Sequence, residues 1–124
     1  MLRAKVHRIR VTERNVEYEG SITVDPDIMA ACDMVEFERV DVYNVDSGTR
    51  FSTYLISGEP GKGECCPNGA AAHLVDVGDR LIIASYCAVA EEDVKSHTPT
   101  VVLIGENNTI SGIKEFERPR TLVG

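Results

Sequence analysis

Residues 38–57, ERVDVYNVDSGTRFSTYLIS, carry the clearest fold signal in the chain. Val40, Val42 and Asn44 alternate with Asp41, Tyr43 and Val45, the period of two that a half-buried strand requires. DSG at 46–48 is a turn by composition. TRFSTYLIS then returns with β-branched and aromatic residues, which suit a pleated surface. The pair predicts an antiparallel hairpin and sets the expectation of a mainly β fold.

The neighbouring segments extend that reading. RAKVHRIRVT at 3–12 reads as a strand, with Ala4, Val6 and Arg8 on one side and Lys5, His7, Ile9 and Val11 on the other. VEYEG and SITVD are two further strand-like pieces. DPDIMAACDM reads as a short helix: Asp25 is a good N-cap, Pro26 suits the first helical position, and Asp27 favours the positive end of the dipole. GEPGKG at 58–63 is a loop, and Pro67, Asn68 and Gly69 predict a turn before a helical turn from Ala70 to Leu74. RLIIASYC reads as a buried strand, AEEDVKSH as a short helix and TVVLIG as a last strand. A mobile tail is expected from about residue 106. Many short strands with two or three short helices predict one compact barrel domain over 1–124.

Composition narrows the function classes. The 124 residues are 43% hydrophobic, enough for a real core, and the formal charge is −7. An acidic chain is a poor partner for phosphate backbones, so no nucleic acid is expected. Five basic or histidine side chains do gather in RAKVHRIR, the pattern of a solvated strand face. The longest apolar-rich run, LIIASYCAVA at 81–90, falls well short of the roughly 20 residues a spanning helix needs. With no leader-like opening, a cytoplasmic place and no membrane partner are expected. Cys32, Cys65, Cys66 and Cys87 form no C-x-x-C, and His7, His73 and His97 are scattered, so no metal site is expected. Buried free thiols are the expected state.

YEGSITVD at 18–25 holds a Gly-Ser pair with two readings. One is a turn serine. The other is chemical: Ser21 lacks a nucleophile-elbow frame, yet a serine hydroxyl can attack the carbonyl before it when that peptide is strained and its oxygen is held by a donor. Glycine suits the preceding position because, lacking Cβ, it tolerates unusual dihedrals and close approach. The amide becomes an ester, elimination cuts the chain, and hydrolysis leaves a pyruvoyl group. Such a ketone forms a Schiff base with an amine and accepts electrons, as pyridoxal does.

AKVHR, YEGSI, RFSTY, NGAAAH and VGDRLIIAS occur in this order along the chain. The ordered set resembles the pyruvoyl-dependent aspartate 1-decarboxylase family over roughly residues 1–105. The resemblance implies a double-psi β-barrel with short helices. It implies a precursor cut between Gly20 and Ser21 into a β chain of 1–20 and an α chain of 21–124. The pyruvoyl cofactor would derive from Ser21, and the reaction would turn L-aspartate into β-alanine and CO2 for pantothenate biosynthesis. It implies a homotetramer with active sites between subunits and, for some members, an acetyltransferase-like activating protein.

The resemblance also assigns residues. Thr53 would bind the Gly20 carbonyl oxygen during cutting. Arg50 and Lys5 would hold the substrate, and Tyr54 would return the proton after CO2 leaves. Asn68, Gly69, Ala70 and Ala71 would line the site. His7 and Tyr18 would support it, Tyr43 stands where some members carry tryptophan, and Ile82 would border the pocket. Each has a plainer reading: Arg50 and Lys5 as solvated strand residues, Tyr54 and Ile82 as core, Thr53 as a strand former, and Asn68-Gly69 as a turn. Two rival functions follow from the same residues: an uncleaved homologue acting as a binding or scaffold subunit, and a small β-barrel interaction module.

Overall fold

The structure is a computed structural model that describes residues 1–114. Eight strands run along it: β1 (Leu2–Arg10), β2 (Ser21–Val24), β3 (Arg39–Asn44), β4 (Arg50–Ser57), β5 (Cys65–Asn68), β6 (Arg80–Tyr86), β7 (Thr100–Ile104) and β8 (Ile110–Lys114). Their order in the sheet is β5-β2-β4-β3-β6-β1-β7-β8. The pairs β2–β4 and β1–β7 are parallel and the rest antiparallel. The chain leaving β1 then turns back along β5: the Thr12 N–H donates to the Cys65 carbonyl at 2.9 Å and the Asn15 N–H to that of Pro67 at 3.2 Å. This contact links β5, at one end of the order, to the continuation of β1, its sixth strand, and closes a barrel, which leaves few strand edges open. Among the described residues no helix is long and apolar enough to cross a membrane.

The predicted hairpin is β3–β4, with Tyr43 opposite Arg50 and Val40 opposite Thr53. Val40, Val42 and Leu55 point into the core with Ile22, Ile83 and Val102. Burying such a side chain is worth about 1.5–3 kcal/mol, so the alternation that marks these strands also drives their closure. The alternation of β1 changes phase at Arg8. Ala4, Val6, Ile9 and Val11 are all buried, so Ile9 and Val11 do not share a face with Lys5 and His7. Arg8 takes a left-handed φ of 67° and the pairing with β6 shifts there, a bulge that turns the strand by one residue.

The capped helix is α1 (Pro26–Ala31). Buried Asp25 accepts the Asp27 N–H at 2.9 Å and also those of Gly61 at 3.2 Å and Gly63 at 2.8 Å, so one carboxylate ties the helix to the 58–63 loop. AEEDVKSH forms a 3-10 turn at Glu91–Ser96.

Three expectations are corrected. VEYEG is no strand: Asn15 Oδ1 accepts the Glu17 N–H at 3.0 Å and starts a turn that leaves residues 16–20 exposed. Pro67 and Asn68 belong to β5, and the chain turns only at Gly69, whose φ is +64°. The segment from 106 to 114 is ordered, because Asn107 and Asn108 take φ of 55° and 52° and return the chain as β8 against β7. Asparagine tolerates that region through its short polar side chain. Residues 115–124 of the expected tail lie outside the described residues.

Candidate active site

Strand parity decides which side chains meet. Ile22 on β2 pairs with Leu55 on β4, and both are fully buried. Side chains alternate along each strand, so the residues just before that pair, Ser21 and Tyr54, turn away from the barrel interior. Ser21 pairs with Asn68 across β2–β5 and Thr23 with Cys66. Ser21, Thr23, Cys66, Asn68 and Tyr54 therefore share the outer face. Thr53 has the opposite parity. It is half-buried beside Leu55, opposite Val40, and among the described residues its hydroxyl makes no hydrogen bond to Gly20.

Around Ser21 the geometry is tight. Asn68 Nδ2 donates to Ser21 Oγ at 2.9 Å and to Thr23 Oγ1 at 3.0 Å. Both Ser21 and Asn68 are buried. Ser21 Oγ in turn reaches the Glu19 carbonyl at 3.5 Å. Gly69 packs directly on the preceding residue: a Cβ built there stands 2.8 Å from both N and Cα of Gly20. Only glycine fits that contact and that φ together. Gly20 is exposed, as is Tyr18 beside it. The Gly69 N–H is taken by the Asn15 carbonyl at 2.8 Å. Ala70 and Ala71 open the 3-10 turn (Gly69–Leu74) that follows, where the first N–H groups of a helical segment lack an internal partner.

The remaining candidates form a row on the same outer surface. His7 pairs with Ile82, Ile82 with Tyr43, and Tyr43 with Arg50, so these four stand in one rung across β1, β6, β3 and β4. Lys5, Ala84, Asp41 and Ser52 make the next rung. Residues two apart on a strand lie on one face, which puts Lys5 beside His7 and Tyr54 in line with Arg50. The Arg50 guanidinium lies 4.6 Å from the centre of the Tyr43 ring. Tyr43 and Tyr86 share a hydroxyl–hydroxyl bond of 2.8 Å, which, helped by burial, pushes the Tyr86 phenol up to about 12. The Tyr86 ring thus stays neutral beside Arg50. The Tyr54 ring meets Phe37 at 6.5 Å.

The structure brings Gly20, Ser21, Asn68 and Gly69 into contact, and sets Lys5, His7, Tyr43, Arg50 and Ile82 on two adjoining rungs, with Tyr54 on β4, the strand between β2 and β3. Thr23, Cys66 and Tyr86 join them without having been expected. Parity held a signal for Cys66, which stands two residues before Asn68 on one strand. Cys32, Cys65 and Cys66 are buried and all four cysteines are free, though Cys87 is only half-buried.

Fold and site together define a small double-psi β-barrel protein with a polar outer face built around one serine. A rationally designed double-psi β-barrel has the same fold, with a TM-score of 0.50 and 21% identity, covering 64% of this chain and 96% of that one. Residues 1–111 match the aspartate decarboxylase family, and the chain belongs to it. It is 53% identical to the aspartate 1-decarboxylase of Ralstonia pickettii (strain 12J), over 93% of this chain and 96% of that protein. It is 54% identical to that of Halalkalibacterium halodurans, over 89% of this chain and 87% of that protein.

Proposed function

We infer that the chain is a carboxy-lyase that decarboxylates L-aspartate to β-alanine and CO2, a supply for pantothenate, and that it prepares itself by breaking the Gly20-Ser21 bond. The observation that carries this reading is the buried Ser21 hydroxyl with an amide N–H on its oxygen, next to a glycine backed by a second glycine. Hydroxyl attack on the Gly20 carbonyl needs a flexible residue before the serine and close packing around it, and both are present. The pyruvoyl group that Ser21 leaves supplies an electron sink for the substrate amine. Thr53, at the level of Gly20 on the neighbouring strand, is the proposed donor to the Gly20 oxygen once that carbonyl turns.

The row of cations sets the substrate's direction. Holding the departing α-carboxylate by an ion pair would stabilise the ground state more than the transition state, where that charge is disappearing. Arg50 and Lys5 therefore hold the β-carboxylate, Arg50 through its two-pronged fork. Among the described residues Arg50 forms no ion pair. Tyr43 fixes it from below, while His7 and Ile82 continue the rung. Asn68, Ala70 and Ala71 line the opposite side, with Gly69 as the close-packing element. Tyr18 flanks the entrance.

A homotetramer with sites between subunits belongs to the same reading. Val35, Phe37 and Tyr54 leave apolar surface exposed beside the row, a second copy would cover it, and covering would dry the site. Four free thiols suit a reducing compartment, and a cytoplasmic place is proposed on that ground.

Intact-mass measurement and CO2 release test the reading. Purified protein is expected to give two fragments, ending at Gly20 and beginning with a pyruvoyl group, and to release CO2 from aspartate well above glutamate. One uncut, active chain sinks self-cleavage; equal yields from the two substrates sink the carboxylate assignment. Gly69→Ala gives a second check. Its Cβ has to displace the Gly20 backbone and carries a left-handed φ, a strain of roughly 1–2 kcal/mol before any clash. Cutting is expected to slow by about tenfold or more. Wild-type cutting in this variant would remove the glycine pair from the account.

A further inference from the structure

Cys66 is buried, and nothing above uses it. Its Sγ lies 3.3 Å from Asn68 Oδ1. The other end of the same amide serves Ser21 and Thr23, at 2.9 Å and 3.0 Å. An amide nitrogen carries two hydrogens, so both are spent on those hydroxyls and the oxygen is left for Cys66. Burial pushes the Cys66 thiol up to about 11, with Glu13 and Glu64 adding to it, so at neutral pH it is S–H and donates. Turning the amide over would set its N–H groups against the thiol hydrogen and its carbonyl lone pairs against Ser21 Oγ.

We propose that Cys66 is a positioning residue for self-cleavage: its S–H fixes the Asn68 amide so that Nδ2–H faces Ser21 Oγ, the atom that departs when the chain breaks. The inference rests on the Gly20-Ser21 reading. In that sequence Oγ first bonds to the Gly20 carbonyl carbon as the C–N bond breaks, giving an ester and a free Ser21 amine. The Ser21 Cα proton then passes to solvent, the Cβ–Oγ bond breaks, and a Cα–Cβ double bond forms. Oγ leaves with Gly20 as a carboxylate oxygen. The enamine tautomerises to an imine and water hydrolyses it, releasing ammonia and leaving the ketone. Negative charge grows on Oγ during elimination, and an N–H already aimed at that atom stabilises it. A carbonyl oxygen aimed there would oppose it. The ester-breaking step is thus the one that Cys66 governs.

The test follows freshly purified wild type, Cys66→Ala, Cys66→Val and Cys66→Ser by intact mass, with and without hydroxylamine. Hydroxylamine opens an ester and releases a fragment that still begins with serine, heavier than its pyruvoyl counterpart by the ammonia that the completed reaction releases, so intact mass identifies it. The Ala and Val variants are expected to cut about tenfold more slowly, less than the ~10²–10³ lost when a donor is removed outright. Their uncut pool is expected to yield the serine-headed fragment. The Ser variant, whose hydroxyl donates to the same oxygen, is expected to cut at the wild-type rate. Wild-type cutting in Ala, slow cutting in Ser, or slow cutting without trapped ester each overturns the proposal. Were Ala and Val not to fold, the Ser rate still decides it. A wild type that never cuts sinks the self-cleavage reading itself, which is a different result from a wild type that cuts alongside an indifferent Ala variant.

Discussion

Ser21→Ala is expected to remain one chain of 124 residues and to release no CO2 from aspartate above background. The substitution removes the only atom able to attack the Gly20 carbonyl at this position, so neither the ester nor the ketone can form. The fold should survive. Ser21 is held in β2 by its backbone pairing with Asn68, and Ile22 beside it keeps its place in the core. The structural cost is one buried N–H on Asn68 left without its acceptor, about 1–3 kcal/mol. A domain of this size holds about 5–15 kcal/mol, so a cooperative melt a few degrees below wild type is expected. Activity and stability then separate: a complete loss of turnover with a small loss of stability marks a chemical role. Intact mass, a thermal melt and a CO2 assay on the same preparation measure all three. Turnover by the uncut variant would show that the ketone is not the electron sink.

The parts of this fold that the sequence displayed are those whose signal is local. Alternation of Val40 and Val42 with charged and aromatic neighbours, ended by DSG, is enough for the β3–β4 hairpin, because burial on one face enforces a period of two. Asp25-Pro26-Asp27 is enough for the start of α1. The bulge at Arg8 is different: a left-handed arginine is costly in isolation, and only the buried partners Val6 and Ile9 on either side hold it there. β8 escaped because Ile110, Ser111 and Ile113 are exposed, so it forms by backbone pairing and leaves no apolar pattern. Barrel closure by residues 12–15 against β5 is likewise a backbone contact between distant segments. The site divides in the same way. Gly20, Ser21 and Asn68 were visible only through an ordered set of motifs, since Ser21 and Asn68 are 47 residues apart and nothing local links them. Cys66 was hidden by its neighbour: two adjacent cysteines read as core, and only the parity of β5 separates the inward Cys65 from Cys66 on the site face.

Tyr54→Phe is expected to cut normally and then to turn over about 10²–10⁴ times more slowly, the range a positioned general acid contributes. After CO2 leaves, the former α-carbon needs a proton from a group near the serine-derived end of the chain and clear of the cations. Tyr54 meets both conditions. It directly precedes the Ile22–Leu55 level on β4, as Ser21 does on β2, and it turns to the same outer face. Arg50, the proposed holder of the far carboxylate, lies four residues earlier on the same face, so the two proposed functions are spaced along one strand. Phenylalanine keeps the ring and its contact with Phe37, so the backbone and the cut are expected to be undisturbed. The split between kinetic constants is the decisive readout. A proton donor acts only in the transition state, so kcat and kcat/KM fall together while KM for aspartate stays within a few-fold. A rise in KM with kcat unchanged would instead make Tyr54 a contact for the bound substrate, and normal turnover would dismiss it from the chemistry. In solvent deuterium the wild type is expected to incorporate one deuteron at the former α-carbon of β-alanine, and loss of its stereochemical bias in the Phe variant would show that solvent has replaced a fixed donor.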